Sequence, residues 1–479
     1  MFDPAVAAIF PLPLTTFEKY MLWDDRDDCP MTFAFQLRLS GEIDRADFES
    51  ALESVLPVHP LLCALVKRLG RGSPAWTLAE RLRPTIDWGV LGAVAKSPRG
   101  ERIDLRFETG LRVWIRQGGG VAEVMLQFHH ACCDALGALR FIGDLLAAYG
   151  RRATSTDGCL ASAPTHPHCE PADLLRRGRF VVPKAANGNR IRTLWNGIVD
   201  GVRFLKRRPA MLLPNAAAPD LQSVPATRNN PASQEGPTAR PFLEIHRQAF
   251  DRPETQRLRQ LAKSLGVTVN DLLLRDMFQT LQQWDAGQAS KSLKPWLRIA
   301  VPVNLKNGKH DRTSAANGVS YTFVTRHRDE CAPSPDPHAL VQGIHRETDA
   351  VTRSRRAVMF LRGFRSMECI PGAIRLYMRS SRCFATVVLS NLGEIGRQFG
   401  TQCVSEAGKI VAGNLILEDI FAAPPVRPNT PAAFMAGTYD ERLWVSLRAD
   451  LRVFTADDAS RLLSLYVDRI RQTVSADRH

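Results

Sequence analysis

Two adjacent histidines followed by an aspartate form the part of this sequence best suited to chemistry. His129 and His130 precede Asp134, with Ala131-Cys132-Cys133 between them. An imidazole titrates near neutral pH, so it can take a proton from a hydroxyl or amine and return it to a leaving group. The residue types therefore indicate general acid–base catalysis. Neighbouring histidines on a strand diverge, and no further ligand spacing completes a metal site, so a metal centre is disfavoured.

The elements around these residues predict where they lie. From 123 to 130, apolar and polar residues alternate as in a β-strand, which points the two histidines to opposite faces. Helical spacing follows, in Ala135, Leu139, Ile142, Leu146 and Tyr149. The histidines thus stand at a strand's end, open to a cleft, and Asp134 stands where a helix begins, a position at which aspartate is a preferred N-cap.

The rest of the chain divides into three regions. A length of 479 residues predicts more than one domain. Residues 1–173 and 241–479 each alternate predicted strands with predicted helices, as in the strands at 33–39 and 297–304. Residues 174–240 are predicted to be a basic helical segment followed by a flexible linker rich in Pro, Ala, Ser, Thr and Asn.

Charge and composition limit the class of partner. A net charge of +14 favours anionic partners. The basic segment carries an apolar stripe, Leu194, Ile198, Val202 and Leu205, which fits either peripheral contact with an anionic membrane or a solvated helix between two lobes. Its basic residues are not interleaved with stacking aromatics, so nucleic-acid binding is disfavoured. Scattered cysteines without C-x-x-C repeats, and a start without signal-peptide character, predict a cytoplasmic protein.

Several segments together resemble a known superfamily. The run from His129 to Asp134 resembles the HHxxxDG signature of the coenzyme A-dependent acyltransferases, which include chloramphenicol acetyltransferase, nonribosomal peptide condensation domains and wax ester synthases. Other motifs of that superfamily are matched, in the expected order, by Pro13-Leu14-Thr15, His59-Pro60-Leu61-Leu62, Thr268-Val269-Asn270-Asp271, Val301-Pro302-Val303-Asn304-Leu305-Lys306 and Leu389-Ser390-Asn391-Leu392-Gly393. The resemblance spans nearly the whole chain outside 151–240.

The resemblance implies an α/β (α+β) fold and a reaction. Two chloramphenicol acetyltransferase-like lobes, each a mixed sheet with covering helices, would meet at a central cleft or tunnel. An acyl group would pass from a coenzyme A or carrier-protein thioester to an alcohol or amine, with His130 as general base and without an acyl-enzyme. Asp134 would hold the loop through a buried ion pair, and His129 would support the turn.

The resemblance also implies ligands and substrate contacts. Ser390, Asn391 and Asn304 become candidates for binding substrate. Acyl-coenzyme A or acyl-phosphopantetheine would be the co-substrate, no cofactor would be bound permanently, and an acyl carrier protein is one partner that would bring the donor. Two alternatives stay open: a carrier-dependent condensation enzyme that forms amides, and a catalytically inactive module that uses the fold and the basic surface for binding.

Two positions depart from the superfamily pattern. Ala135 replaces the glycine of the signature, which a helix start tolerates because it needs no positive φ. Cys63 stands where condensation domains often carry an arginine that pairs with the aspartate. Because a buried unpaired carboxylate is costly, Asp134 needs another cation, for which Arg298 and Lys67 are the predicted candidates.

Overall fold

The structure is a computed structural model. It describes residues 2–68, 70, 73–79, 82–97, 100–153, 169–180, 203–214, 244–286, 294–306, 314–332, 336, 338–354, 357–370, 372–379, 382–399, 404–406 and 408–476. Leu194, Ile198 and Val202 of the predicted apolar stripe lie outside the described residues, whereas Leu205 is described and is 58% exposed.

The first lobe is built on a seven-stranded sheet in the part of the chain that the structure describes. The strands are β2 (Thr32–Ser40), β5 (Thr85–Val90), β6 (Leu111–Gly118), β7 (Val121–His129), β12 (Val404–Glu406), β13 (Lys409–Ala412) and β14 (Leu415–Ala423). Their order in the sheet is β12-β13-β14-β2-β7-β6-β5. The hairpin of β6 and β7 turns at Gly119 and Gly120, both with positive φ, as the glycine run predicts.

The second lobe is built on a six-stranded sheet among the described residues. The strands are β8 (His246–Ala249), β9 (Trp296–Asn304), β10 (Val319–His327), β11 (Val387–Glu394), β15 (Ala432–Tyr439) and β16 (Arg442–Ala449). Their order in the sheet is β10-β9-β11-β15-β16-β8, with parallel pairing of β11 to both of its neighbours. A smaller sheet in the first lobe contains β1 (Leu12–Pro13), β4 (Pro74–Leu78) and β3 (Ala64–Arg68).

Helices cover both sheets. Those described with bounds are α1 (Pro4–Ala7), α2 (Thr16–Asp24), α3 (Arg45–Val55), α4 (Ala135–Ala153), α5 (Pro171–Arg176), α6 (Arg252–Ser264), α7 (Val269–Ala286), α8 (Arg328–Cys331), α9 (Ala339–Ser354), α10 (Val358–Glu368), α11 (Ala373–Arg379) and α12 (Ala456–Ala476). Among the described residues, no helix combines the length and apolar character needed to span a membrane. The predicted architecture of two mixed sheets with covering helices is confirmed.

Helix α4 shows how the sequence pattern creates this packing. Its predicted stripe, Leu139, Ile142, Leu146 and Tyr149, is buried in the core of the first lobe. Burying each side chain of this size contributes about 1.5–3 kcal/mol, which fixes the face that α4 turns to the sheet. The start of α4 is therefore held directly beyond the end of β7.

One segment crosses between the lobes. Strand β14 pairs antiparallel with β2, so that Ala422 faces Phe35, although β14 lies in the region 241–479 that was assigned to the second lobe. The region 241–479 thus contributes strands to both sheets. Asn414 fixes this crossing, because it accepts a hydrogen bond from the hydroxyl of Tyr149 at 3.0 Å.

Candidate active site

His129 ends β7 and supports the turn behind the cavity. Its ring is fully buried; Nδ1 accepts a hydrogen bond from the backbone of Ala131 at 3.0 Å, and Nε2 lies 3.6 Å from the carboxylate of Asp25. Burial tends to raise the pKa of Asp25, but contacts with His129 and the Arg102 guanidinium bring this pKa below its ordinary value. His129 is therefore held against an ionised carboxylate.

His130 follows at the strand's end and turns the other way. The edges of its ring meet Phe17 and Phe33, at centroid distances of 5.8 and 5.2 Å. Its Nδ1 atom is buried and has no hydrogen-bond partner among the described residues. Burial lowers the pKa of His130 below its ordinary value, despite the opposing charge of Asp134. The imidazole is consequently neutral near pH 7 and able to accept a proton.

A cavity of about 140 Å³ opens in front of His130, between the two lobes. Five of the six candidate residues line it: His130, Asp134, Asn304, Ser390 and Asn391. The sixth, His129, is not part of the lining. Strands β9, β10, β11 and β15 of the second lobe supply the opposite wall. Residues that are widely separated in the sequence therefore line one cavity.

Asp134 is held on both sides by backbone groups. Its Oδ1 accepts from the N–H of Gly137 at 2.7 Å, which makes Asp134 the N-cap of α4, and its Oδ2 accepts from Gly318 at 2.6 Å. The nearby cation is Lys306, whose Nζ lies 3.5 Å from Oδ1. Lys306 occupies the role that was predicted for Arg298 or Lys67, so both of those predictions are wrong.

Arg298 and Lys67 lie elsewhere for clear reasons. Arg298 donates hydrogen bonds to the carbonyls of Phe204 and Arg207, at 2.9 and 2.7 Å, and its guanidinium stacks over the Phe204 ring. Burial lowers the pKa of Arg298 to about 10. Lys67 is exposed on β3. Arg298 thus tethers the segment 203–208 to the second lobe rather than neutralising Asp134.

The segment 314–318 joins the second lobe to the histidine turn. The Asn317 side-chain nitrogen donates to the carbonyls of His130 and Ala131, at 2.9 and 2.8 Å. The Ala315 N–H donates to His59 Nδ1 at 2.9 Å, which leaves His59 Nε2–H to donate to Asp144 at 3.0 Å. No sequence pattern indicated these contacts, apart from the motif that contains His59.

The cysteines near the site are buried thiols. Cys63 Sγ lies 3.8 Å from the Leu56 carbonyl, and burial raises the pKa of Cys63 to about 12. Burial also raises the pKa values of Cys132 and Cys133 well above the ordinary value. Since the thiolate is the reactive form, the three cysteines are not activated nucleophiles. Among the described residues, no group of three or more His, Cys, Asp or Glu side chains is placed to hold a metal ion.

By sequence, the chain is similar to two other proteins. No family model matches the chain. Two uncharacterized proteins, from two strains of Mycobacterium tuberculosis, are 24% identical to it over 403 residues, which cover 80% of this chain and 83% of each relative.

Solved structures of condensation domains are similar to this chain over nearly its whole length. The chain is similar to a variant of the starter condensation domain of rhizomide synthetase in complex with C8-CoA, with a TM-score of 0.62, 12% identity, and coverage of 97% of this chain and 95% of that one. It is also similar to the first condensation domain of the CDA synthetase, with a TM-score of 0.58, 14% identity, and coverage of 97% and 96%.

The chain has the condensation-domain fold. The resemblance seen in the sequence is thereby confirmed at the level of the fold. Polyketide synthase associated protein 5 from Mycobacterium tuberculosis is similar as well, with a TM-score of 0.53, 14% identity, and coverage of 93% of this chain and 95% of that protein.

Arg427 is a residue of this condensation-domain fold that sequence reasoning missed. It lines the cavity, forms an ion pair with Asp24 and lies over the rings of Tyr20 and Tyr321, at 4.6 and 5.8 Å from their centroids. Although burial opposes its charge, Asp24 keeps the pKa of Arg427 well above its ordinary value. No local pattern marked this arginine, because its partners come from α2 and β10.

Gly137 lies where the two lobes meet, and we expect that adding a single methyl group there lowers the stability of the protein. A Cβ at Gly137 would lie 2.3 Å from the backbone oxygen of Ala315. We expect Gly137→Ala to lower the free energy of unfolding by about 1–3 kcal/mol, the usual cost of overpacking. The control is Gly363→Ala in helix α10, where the added Cβ meets nothing within 4 Å, and stability should rise by about 0.5–1 kcal/mol. Urea unfolding measures both, and equal effects would contradict the close approach.

Proposed function

We propose that this protein transfers an acyl group from a coenzyme A or carrier-protein thioester to a hydroxyl or amine. The observation that carries the proposal is the neutral, half-buried imidazole of His130 at the wall of the cavity between the lobes. Such a group can take a proton from a nucleophile that binds within hydrogen-bond reach of it. The polar residues around it come from the opposite lobe, where they would contact a substrate held between the two.

The reaction would proceed without a covalent enzyme intermediate. The acceptor attacks the thioester carbonyl carbon while His130 takes the proton of the acceptor. The tetrahedral intermediate then collapses, the carbon–sulfur bond breaks, and the imidazolium returns the proton to the leaving thiolate. Cys132 and Cys133 take no part, because their thiols are buried and protonated.

His129 and Asp134 would act as positioning residues. His129 contacts Asp25 and the turn, and Asp134 is occupied by Gly137, Gly318 and Lys306. Both side chains are therefore committed to holding the loop that presents His130. This supports the role that the resemblance implied for each of them.

The substrate-binding role of the second lobe is supported by free donors. The side-chain oxygen of Asn304 accepts from the backbone N–H of Lys306 at 2.9 Å, and that of Asn391 accepts from the backbone N–H of Gly393 at 2.9 Å. Each amide nitrogen thus remains as a donor at the cavity. Together with the Ser390 hydroxyl, these groups would hold the thioester carbonyl or the polar end of the acceptor.

The lowered pKa of His130 predicts the pH profile of the reaction. Only the unprotonated imidazole accepts a proton, so kcat/KM should rise with pH as His130 deprotonates and then level off. Because burial lowers this pKa, the midpoint should lie below about 6.5, the ordinary value for histidine. A pH series of initial rates measures the midpoint. An acid limb centred above the ordinary value would contradict the assignment.

The donor's carrier decides between two forms of the proposal. The rhizomide synthetase structure contains C8-CoA, which supports an acyl-coenzyme A donor here, whereas a carrier-bound donor rests on the resemblance to condensation domains. The described part of the basic segment, with Lys206 beside exposed Leu205, also leaves peripheral contact with an anionic membrane as a prediction. Cytoplasmic location is likewise a prediction.

A direct assay tests the proposed function. The purified protein would be incubated with coenzyme A thioesters of short, medium and long acyl groups, each with alcohol and amine acceptors. Release of free thiol and the mass of the product would be measured, in parallel with the same acyl groups on a phosphopantetheinylated carrier protein. We expect acceptor-dependent acyl product, and strict dependence on the carrier would favour the condensation form. Absence of product with both kinds of donor would contradict the proposal.

A further inference from the structure

A single strong cation faces the reaction cavity. Of the described residues that line it, Arg427 is the only lysine or arginine. Lys306, the cation at Asp134, is not among the lining residues. The proposed reaction needs no further base or acid beyond His130, so the role of Arg427 is open.

The guanidinium is fixed and remains accessible. Asp24 takes one end of it through Nη2, and the rings of Tyr20 and Tyr321 pack against its face. A guanidinium has five N–H donors, which is more than Asp24 and the hydroxyl of Tyr321 can take together. The side chain is 19% exposed, and Arg427 is one of the residues that line the cavity. The guanidinium is therefore fixed by Asp24 and in contact with the cavity.

The surroundings strengthen any charge interaction at this place. Phe33, Pro424, Pro425 and Met435 line the same cavity and make part of its wall apolar. In such a site a fixed cation stabilises negative charge far more than it does in water, and it needs no reorganisation when that charge appears. Asp24 keeps Arg427 in place without occupying the cavity, because it is not one of the lining residues.

We propose that Arg427 donates a hydrogen bond to the oxyanion that forms during acyl transfer. The inference rests on the proposed function, because it concerns the same cavity and the same thioester. As the acceptor's lone pair forms its bond to the carbonyl carbon, the π electrons of the C=O bond move to oxygen, and His130 holds the acceptor's proton. The N–H of Arg427 donates to the resulting O⁻. When the C=O bond forms again, the carbon–sulfur bond breaks and the thiolate takes the proton from His130.

Arg427 and the neutral donors then stabilise different states of the reaction. Asn304, Ser390 and Asn391 carry no charge, so they suit the uncharged carbonyl of the bound thioester. Arg427 gains interaction energy only as negative charge develops, and this difference between ground state and transition state is what accelerates a reaction. Loss of Arg427 should therefore lower kcat and leave KM for the donor unchanged.

Binding of two matched probes tests the proposal without relying on turnover. The first is the trifluoromethyl ketone analogue of acetyl-coenzyme A, in which a methylene separates the sulfur from the carbonyl. Its fluorines make the hydrated ketone acidic, so that the ionised hydrate carries an O⁻ and imitates the charged tetrahedral intermediate. The second is S-propyl-coenzyme A, which lacks the carbonyl. Isothermal titration calorimetry would give the ratio of the two affinities. We expect the ketone to bind the wild-type protein more tightly, and Arg427→Gln to reduce this advantage by about 10²-fold with S-propyl-coenzyme A unaffected.

Three further variants separate charge at the cavity from charge or folding elsewhere. Arg397→Gln makes the same change at an exposed arginine and should keep the ketone's advantage. Asp24→Asn should keep most of it, because the donor remains and the amide oxygen of asparagine can still accept a hydrogen bond from Arg427. The double variant Asp24→Asn/Arg427→Gln should lose it while avoiding an unpaired buried carboxylate, and so it covers the case in which Arg427→Gln fails to fold.

The possible results differ clearly. If the ketone keeps its advantage in Arg427→Gln, or in the double variant, the proposal is overturned. If both probes weaken by the same factor, Arg427 shapes the cavity only, which also overturns it. A shift of the acid limb of kcat to another pH with an unchanged plateau would show action through His130 instead, and would count against the proposal. If the wild-type protein binds neither probe nor a carrier-bound version of each, the proposed function itself is contradicted and the oxyanion role falls with it.

Discussion

Replacement of His130 by alanine is expected to lower kcat for acyl transfer by about 10²–10⁴-fold, the usual contribution of a general base. The reason is chemical rather than structural. The ring faces the cavity, and its Nδ1 has no hydrogen-bond partner among the described residues. Alanine therefore removes the proton acceptor while the backbone contact from His130 N–H to the Met31 carbonyl, at 2.8 Å, stays in place. Rates of thiol release with saturating donor and acceptor would measure the effect.

The matched control for this variant is His338→Ala, which removes an exposed imidazole far from the cavity lining. It should leave kcat unchanged. Circular dichroism and thermal melting of His130→Ala should remain close to those of the wild-type protein. A folded His130→Ala protein with undiminished kcat would rule out His130 as the base and, with it, the mechanism proposed for this site.

Replacement of Asp134 by alanine is expected to destabilise the protein by about 3–5 kcal/mol. The N–H groups of Gly137 and Gly318 would lose their acceptor, and the half-buried ammonium of Lys306 would lose the carboxylate that it pairs with. An unsatisfied buried donor costs about 1–3 kcal/mol, so the two N–H groups account for much of the total. Urea unfolding followed by circular dichroism would measure the change.

Asp134→Asn and Lys306→Met show which part of this loss comes from charge. The asparagine oxygen still accepts one backbone hydrogen bond, so Asp134→Asn should cost less than Asp134→Ala. Combining it with Lys306→Met removes both members of the ion pair and should recover part of the loss. A large fall in kcat for Asp134→Asn with unchanged stability would contradict the positioning role and would make Asp134 a participant in catalysis.

The local features of the site were predictable because they depend on neighbours in the chain. Alternating residues define β7, and helical spacing defines α4, so the sequence placed His129 and His130 at a strand's end. The preference of aspartate for helix starts made Asp134 an N-cap, which its bond to Gly137 confirms. The motif order also predicted the fold that the solved structures share.

The charge partners were not predictable in the same way. Asp134 and Gly318 are 184 residues apart, and no periodicity relates them. Arg298 was expected at Asp134, but β9 directs it to the carbonyls of Phe204 and Arg207. Cys63 stands where condensation domains often carry the arginine that pairs with the aspartate, so Asp134 needs another cation. Which cation pairs with it depends on how the turn after β9 approaches α4. That approach follows from the packing of whole lobes.

The sequence by itself thus determined the chemistry-bearing residue types, the strand and helix that present them, and the family of folds to which they belong. Tertiary structure alone decided that Lys306 neutralises Asp134, that Arg427 faces the cavity, and that β14 joins the sheet of the other lobe. The physical reason is the range of the forces involved. Periodicity and capping act within a few residues, whereas ion pairs and cavity walls form between segments that only the packed core brings together.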